Sequence, residues 1–255
     1  MQIITAAVIK GGTGKTTTCT ALAQAAVKAG KKVLAIDLDP QANFTNAIGA
    51  DQTRPGSYQL LNGTPAEQLI QQTPQGIAAI SASPDLATVK TTPASAKRLQ
   101  KALEPLHGVF DVCFIDVPPM LGELLYNALQ ASTGLIIPLE TDTNSLQGLY
   151  HITDIANQMQ HSNPDLKIIG VILTRYDNRP KINRFLQSEI EAKGQEVGAP
   201  YLMAIRSGIA VREAMAMQQS LFDYAPHSKP ATDYERLYKK IMEEDEQWLR
   251  KILRR

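Results

Sequence analysis

The chain has 255 residues, 44% of them hydrophobic, which is enough to bury a substantial core and argues against a disordered or fibrous class. Lys and Arg number 26 against 25 Asp and Glu, so attraction to nucleic acid or anionic lipid has to come from a local patch rather than from bulk charge. Two cysteines, Cys19 and Cys113, are too few and too far apart for a disulfide framework or a metal knuckle and read as buried bystanders.

Apolar runs with strand character follow one another as IITAAVI, KVLAID, GIAAIS, VCFIDV, GLIIPL, KIIGVILT and YLMAI. Helix-like segments such as 16–29 and 145–160 separate most of them. Alternation of this kind predicts an α/β fold with a mostly parallel twisted sheet and helices on both faces, in which the strands are near-continuously apolar. Between residues 51 and 108 the pattern weakens, punctuated by Pro55, Gly56, Pro65, Pro74, Pro84 and Pro93, and reads as a variable connection within one domain covering 1–255. No leader-like segment precedes the first strand, and no apolar run approaches the roughly 20 residues that span a bilayer, so a cytoplasmic protein is expected.

The first strand runs into KGGTGKTTT. Gly11, Gly12, Thr13 and Gly14 followed by Lys15, Thr16 and Thr17 at a helix start aim backbone N–H groups and a helix dipole at one point, which suits a triphosphate. Lys15 can neutralise phosphate oxygens there, and the Thr16 hydroxyl can ligate Mg²⁺. The usual pattern has a glycine where Ile9 stands, and Lys10 follows as a second lysine at the mouth of the loop. Asp37 and Asp39 end the second strand in VLAIDLDPQAN, and Asp116 ends a later one in FDVCFIDVPP. Carboxyl ends of parallel strands face the ligand crevice, so all three carboxylates are expected to approach the phosphates.

These motifs resemble a known family. KGGTGKTTT, DLDPQAN, FIDVPPMLG and IIPLETDTNSLQGL, with NAL at 127–129, LTRYDNR at 173–179 and IRSGIAVREA at 205–214, look like the deviant Walker A, Walker A′, Walker B and following segments of ParA-type partition ATPases of the ParA/Soj/MinD superfamily. The resemblance covers nearly the whole chain outside 51–108. It implies a Mg²⁺-dependent ATPase of weak intrinsic activity that forms a homodimer on binding ATP and moves or positions a plasmid or chromosome. In such a dimer Lys10 crosses to the phosphates of the other subunit, much as an arginine finger does. Asp39 positions or deprotonates the attacking water, Asp37 supports it and the Mg²⁺ shell, and Asp116 holds a Mg²⁺-bound water. Pro118 and Pro119 fall in a switch region. Adenine contacts are implied from LTRYDNR and from the loop at Ala225 and Pro226.

Arg175, Arg179, Lys181 and Arg184 cluster within ten residues, and Arg206 and Arg212 flank a later helix start. Several cations on one face suit sequence-independent binding of duplex phosphates, which the resemblance also implies, together with nucleoid association and a ParB-like activator protein. A solvated basic helix face is the alternative, since Glu189, Glu191 and Glu196 follow. Because the sequence opens on the first sheet strand, no N-terminal helix-turn-helix domain is expected. A MinD-like ATPase that cycles on a membrane is the alternative function. An iron–sulfur electron-transfer ATPase needs cysteines placed differently from Cys19 and Cys113. His107, His151, His161 and His227 lack metal-ligand spacing and are expected at the surface. At the C-terminus, Trp248, Leu249, Ile252 and Leu253 between Arg250, Lys251, Arg254 and Arg255 form a short amphipathic pattern. Its two readings are a lipid-seeking tail and the continuation of a core stripe from Leu237 and Ile241, of which the core stripe is expected.

Overall fold

The computed structural model describes residues 1–89 and 95–252, the side chains of 95 and 243–252 excepted. Among the described residues eight strands build one sheet: β1 (Gln2–Ala6), β2 (Val33–Asp37), β3 (Gln71–Gln72), β4 (Ala78–Ile80), β5 (Val112–Asp116), β6 (Gly134–Leu139), β7 (Lys167–Tyr176) and β8 (Tyr201–Arg206). Their order is β3-β4-β2-β5-β1-β6-β7-β8, and every pairing is parallel except β3 with β4. All seven expected strands are present. The eighth, β3, is two glutamines paired back through the turn at Thr73–Ile77; an edge strand this short and polar has no apolar alternation to reveal it.

The helices are α1 (Lys15–Lys28), α2 (Asn43–Ala47), α3 (Ser57–Leu61), α4 (Arg98–Leu103), α5 (Glu123–Ala131), α6 (Ser145–Met159), α7 (Lys181–Glu196), α8 (Ile209–Ala216), α9 (Leu221–Tyr224) and α10 (Lys229–Ile252). Side chains alternate across a strand, so successive residues serve two different cores. Ile3, Leu34, Cys113 and Leu135 face α3 to α7, where Leu99, Leu129, Ile152 and Ile190 cover them. Ile4, Ala35, Phe114 and Ile136 face α1, α2, α8, α9 and α10, meeting Leu22, Phe44, Ala214, Phe222 and Tyr234. Burial of each large aliphatic side chain stabilises the fold by about 1.5–3 kcal/mol. Covering both faces explains why β2, β5 and β6 are buried at every residue.

The proline-punctuated connection folds as short pieces, and its Leu60, Leu61, Leu86, Leu99, Leu103 and Leu106 join the core on the α3 to α7 face. Pro93 lies outside the described residues. Leu237 and Ile241 of α10 pack on the opposite face beside α1, while the side chains of Trp248, Leu249, Ile252 and Leu253 lie outside the described residues. No described helix is long and apolar enough to cross a membrane. Both cysteines are free and buried, and all four histidines are exposed.

Candidate active site

Between β1 and α1 the chain makes a tight loop in which Gly12 and Gly14 have φ of 77° and 87°, a left-handed conformation that side chains resist. A Cβ at Gly14 would also sit 3.2 Å from Thr174 Cγ2, whereas one at Gly11 would meet nothing within 4 Å. The loop is therefore closed on its β7 side and open above Gly11. Thr174 fixes it from β7 by donating its hydroxyl to the Thr13 carbonyl at 2.7 Å, with the Leu139 carbonyl 3.1 Å from the same oxygen. The first turn of α1 contains no acidic side chain and its cap is a glycine, so the positive end of the helix dipole is left for an external anion. A cleft of about 830 Å³ opens there, lined by Gly12–Thr17, Asp39, Arg175, Arg206, Ile209 and Arg212 among others.

Lys15 is buried, and its Nζ donates to the carbonyl oxygen of Lys10 at 2.8 Å. Burial pulls its ammonium below the ordinary lysine range, against the opposing pull of the Asp116 and Asp39 carboxylates. Lys10 is ion-paired with Asp142, which lies between β6 and α6.

Asp37 and Asp116 are register partners at the carboxyl ends of the adjacent strands β2 and β5, which is how residues 79 positions apart share one site. Asp116 Oδ2 accepts the Thr16 hydroxyl at 2.6 Å, while its Oδ1 is buried with no partner. Burial, reinforced by the neighbouring Asp37 charge, pushes the Asp116 carboxyl well above the usual carboxylate range. Asp37 differs: its Oδ1 accepts the Asp39 N–H at 3.0 Å, and its Oδ2 accepts both the N–H and the hydroxyl of Thr45 at 2.8 Å. Burial raises Asp37 to about 6 in spite of those donors. With both oxygens so used, Asp37 braces the loop that carries Asp39 and starts α2. Asp39 stands at the cleft, with Oδ1 accepting the Gln41 N–H at 3.0 Å.

The basic cluster divides. Arg175 has a left-handed backbone (φ 50°), and its guanidinium lies on the Gly12 carbonyl and the Glu140 carboxylate, beside the phosphate loop. Arg206 grips the buried Asp233 with Nε at 2.8 Å and Nη2 at 2.7 Å, a bidentate structural pair. Arg212 borders the cleft. All three line the cleft, because β7 and β8 end there. Arg179, Lys181 and Arg184 remain outside it and exposed, Arg179 forked onto Asp177. Lys229 and Arg236 join Arg179 around a second concavity that Arg175 and Arg206 also line, an arrangement the linear sequence conceals. Pro226 is exposed, and the cleft wall on this side comes from Ile205–Ile209, at the end of β8 and the start of α8.

Thr45, Thr174, Glu140 and Asp142 escaped sequence reasoning, since each acts by meeting a motif residue from a distant segment. The fragment LETDTNS, with two acids following a buried strand, was the only signal for Glu140 and Asp142.

The AAA domain family model matches residues 1–168. The chromosome-partitioning ATPase Soj of Thermus thermophilus is 34% identical over 237 residues, covering 91% of this chain and 92% of that protein. The chromosome partitioning protein ParA of Myxococcus xanthus is 31% identical over 245 residues, covering 92% and 86%. Among solved structures, the cobyrinic acid a,c-diamide synthase of Mycobacterium smegmatis with bound ATP analog and magnesium is similar at a TM-score of 0.80 and 28% identity, covering 94% of this chain and 93% of that one.

Proposed function

The chain belongs to the ParA/Soj/MinD family of partition ATPases, and we propose that it dimerises on binding Mg²⁺-ATP, holds duplex DNA without sequence preference, and is stimulated to hydrolyse and let go by an activator protein. The cargo is a plasmid or a chromosome, and the working surface is the nucleoid.

The observation that carries the nucleotide reading is the open phosphate loop beside an orphaned carboxylate oxygen. Loop N–H groups, Lys15 and the α1 dipole receive the phosphates. Mg²⁺ fits the neighbouring pair: the Thr16 hydroxyl is in place, and the buried Asp116 Oδ1 has no partner of its own. When bound, the ion supplies positive charge to phosphate oxygens on which negative charge develops. Asp39 orients the attacking water and accepts its proton, and Asp37 with Thr45 keeps Asp39 in position. Lys10 leaves Asp142 to reach the phosphates of a second copy, which makes self-association depend on nucleotide. Outside the cleft, Arg179, Lys181, Arg184, Lys229 and Arg236 form the DNA surface, with phosphate contacts only.

The decisive experiment traps the nucleotide state with Asp39→Ala and co-sediments it with random-sequence DNA and with anionic liposomes. Retention on DNA only with ATP is expected. Retention on liposomes instead would replace this reading with a membrane-cycling one.

A further inference from the structure

Arg175 lines both the phosphate-loop cleft and the second concavity beside Arg179. It follows Thr174, the residue that ties β7 to the phosphate loop, and its left-handed backbone falls at an irregularity in the pairing of β7 with β8, just before Tyr176 pairs with Arg206. The guanidinium lies on the Gly12 carbonyl and pairs with Glu140. Gly12 and Arg175 approach so closely that a Cβ on Gly12 would lie 3.9 Å from Arg175 Nη2. The side chain also lines the same cleft as Lys15, Thr16 and Asp39.

The backbone at Glu140 is held in place independently of this arginine. Its carbonyl accepts the Ser145 hydroxyl at 2.5 Å and the Asp142 N–H at 3.0 Å, and the preceding Leu139 carbonyl is fixed by Thr174. One short loop thus offers two carboxylates, Glu140 to Arg175 and Asp142 to Lys10, to the two cations at the mouth of a phosphate site. A carboxylate and a phosphate present the same oxygen geometry to a guanidinium, so the two compete for it.

We propose that Arg175 is a phosphate-binding residue of the nucleotide site, held beside the loop by Glu140 and Gly12 and transferred from Glu140 to the nucleotide's phosphates on binding. Glu140 is its positioning residue: it keeps the guanidinium at the loop and, by competing, sets how much polyphosphate is needed. The inference rests on the nucleotide reading of the cleft and not on dimerisation or DNA binding.

The test is equilibrium binding of a fluorescent non-hydrolysable ATP analogue with Mg²⁺, at fixed ionic strength and at protein concentrations where the chain stays monomeric. Arg175→Gln is expected to weaken binding about tenfold, the size of one charge-assisted contact, and to weaken the adenosine portion alone hardly at all. Arg175→Lys recovers part of the loss, because it restores charge without the fork. Glu140→Gln, nearly isosteric, tightens binding about threefold in the parent and leaves it unchanged when Arg175 is already Gln. Wild-type affinity in Arg175→Gln, or a Glu140→Gln effect that persists without Arg175, overturns the proposal. Lys15→Ala runs alongside: if it too binds normally the nucleotide reading of the cleft has failed, whereas loss in Lys15→Ala with no change in Arg175→Gln sinks this inference alone. Thermal melting of each variant without nucleotide separates folding from binding.

Discussion

The Nζ of Lys15 donates to the carbonyl oxygen of Lys10 across 2.8 Å, so the two lysines of the loop are linked through the backbone of one by the side chain of the other. Lys10 sends its own ammonium away to Asp142. One cation is therefore already buried inside the loop, and the other is kept at its rim by a displaceable acid.

This geometry separates the two lysines experimentally. Lys15→Ala removes the buried charge and is expected to weaken nucleotide binding by roughly 100-fold. Lys10→Ala is expected to keep binding within about threefold and to lose ATP-dependent self-association, read by light scattering. A normal ATP dimer from Lys10→Ala would refute the assignment of that lysine to a second copy.

Asp39 is braced by Asp37, and its removal leaves the phosphate contacts intact. Asp39→Ala should lower the hydrolysis rate by about 10²- to 10⁴-fold while nucleotide affinity is maintained. Thr45→Val, which removes a hydroxyl bonded to Asp37, should lower kcat with KM little changed, and Thr45→Ser should restore most of it. Equal changes in kcat and KM for Thr45→Val would point to general loosening of the fold.

Asp116 and Asp37 have folded pKa values above those of an unfolded aspartate, about 3.9, with Asp37 raised to about 6. Between these values the native state holds more protons than the unfolded one, so stability is greatest below the unfolded pKa and falls as pH rises through the folded one. The ligand-free protein should therefore lose Tm between pH 4 and pH 7. Asp116→Asn should flatten that decline and raise Tm at pH 7.5, yet abolish the extra stabilisation that Mg²⁺ gives to the nucleotide complex. A ligand-free Tm that rises steadily from pH 4 to pH 7.5 and is unchanged in Asp116→Asn would contradict this electrostatic account.

Arg206 holds the buried Asp233 and so should not be used as a DNA probe. Arg206→Ala should cost about 2 kcal/mol of stability, less than for a fully buried pair because the guanidinium is half in water. Combined Arg184→Gln and Arg236→Gln, by contrast, should preserve Tm and weaken DNA binding equally on unrelated sequences. The salt dependence should flatten by about two phosphate contacts, measured as the slope of log affinity against log salt. An unaltered slope would place the DNA surface elsewhere.

The sequence by itself determined the strand succession, because buried parallel strands must be apolar along their length, and it determined the phosphate loop, because glycines, a lysine and a helix start are contiguous. It also marked Asp37, Asp39 and Asp116 as strand-end acids. Which of their oxygens are already hydrogen-bonded came only from tertiary structure. Registering β2 against β5 put Asp37 beside Asp116, and the start of α2 brought Thr45 onto Asp37, leaving Asp116 Oδ1 as the unsatisfied oxygen. Likewise, ten residues of basic sequence read as one patch, yet in the fold Arg175 also reaches the phosphate loop, while Arg179 and Arg184 stay outside that cleft. Local chemistry is written in adjacent residues, whereas which oxygen remains free and which cation faces which acid depend on strand order and register, and those are set by packing across the whole sheet.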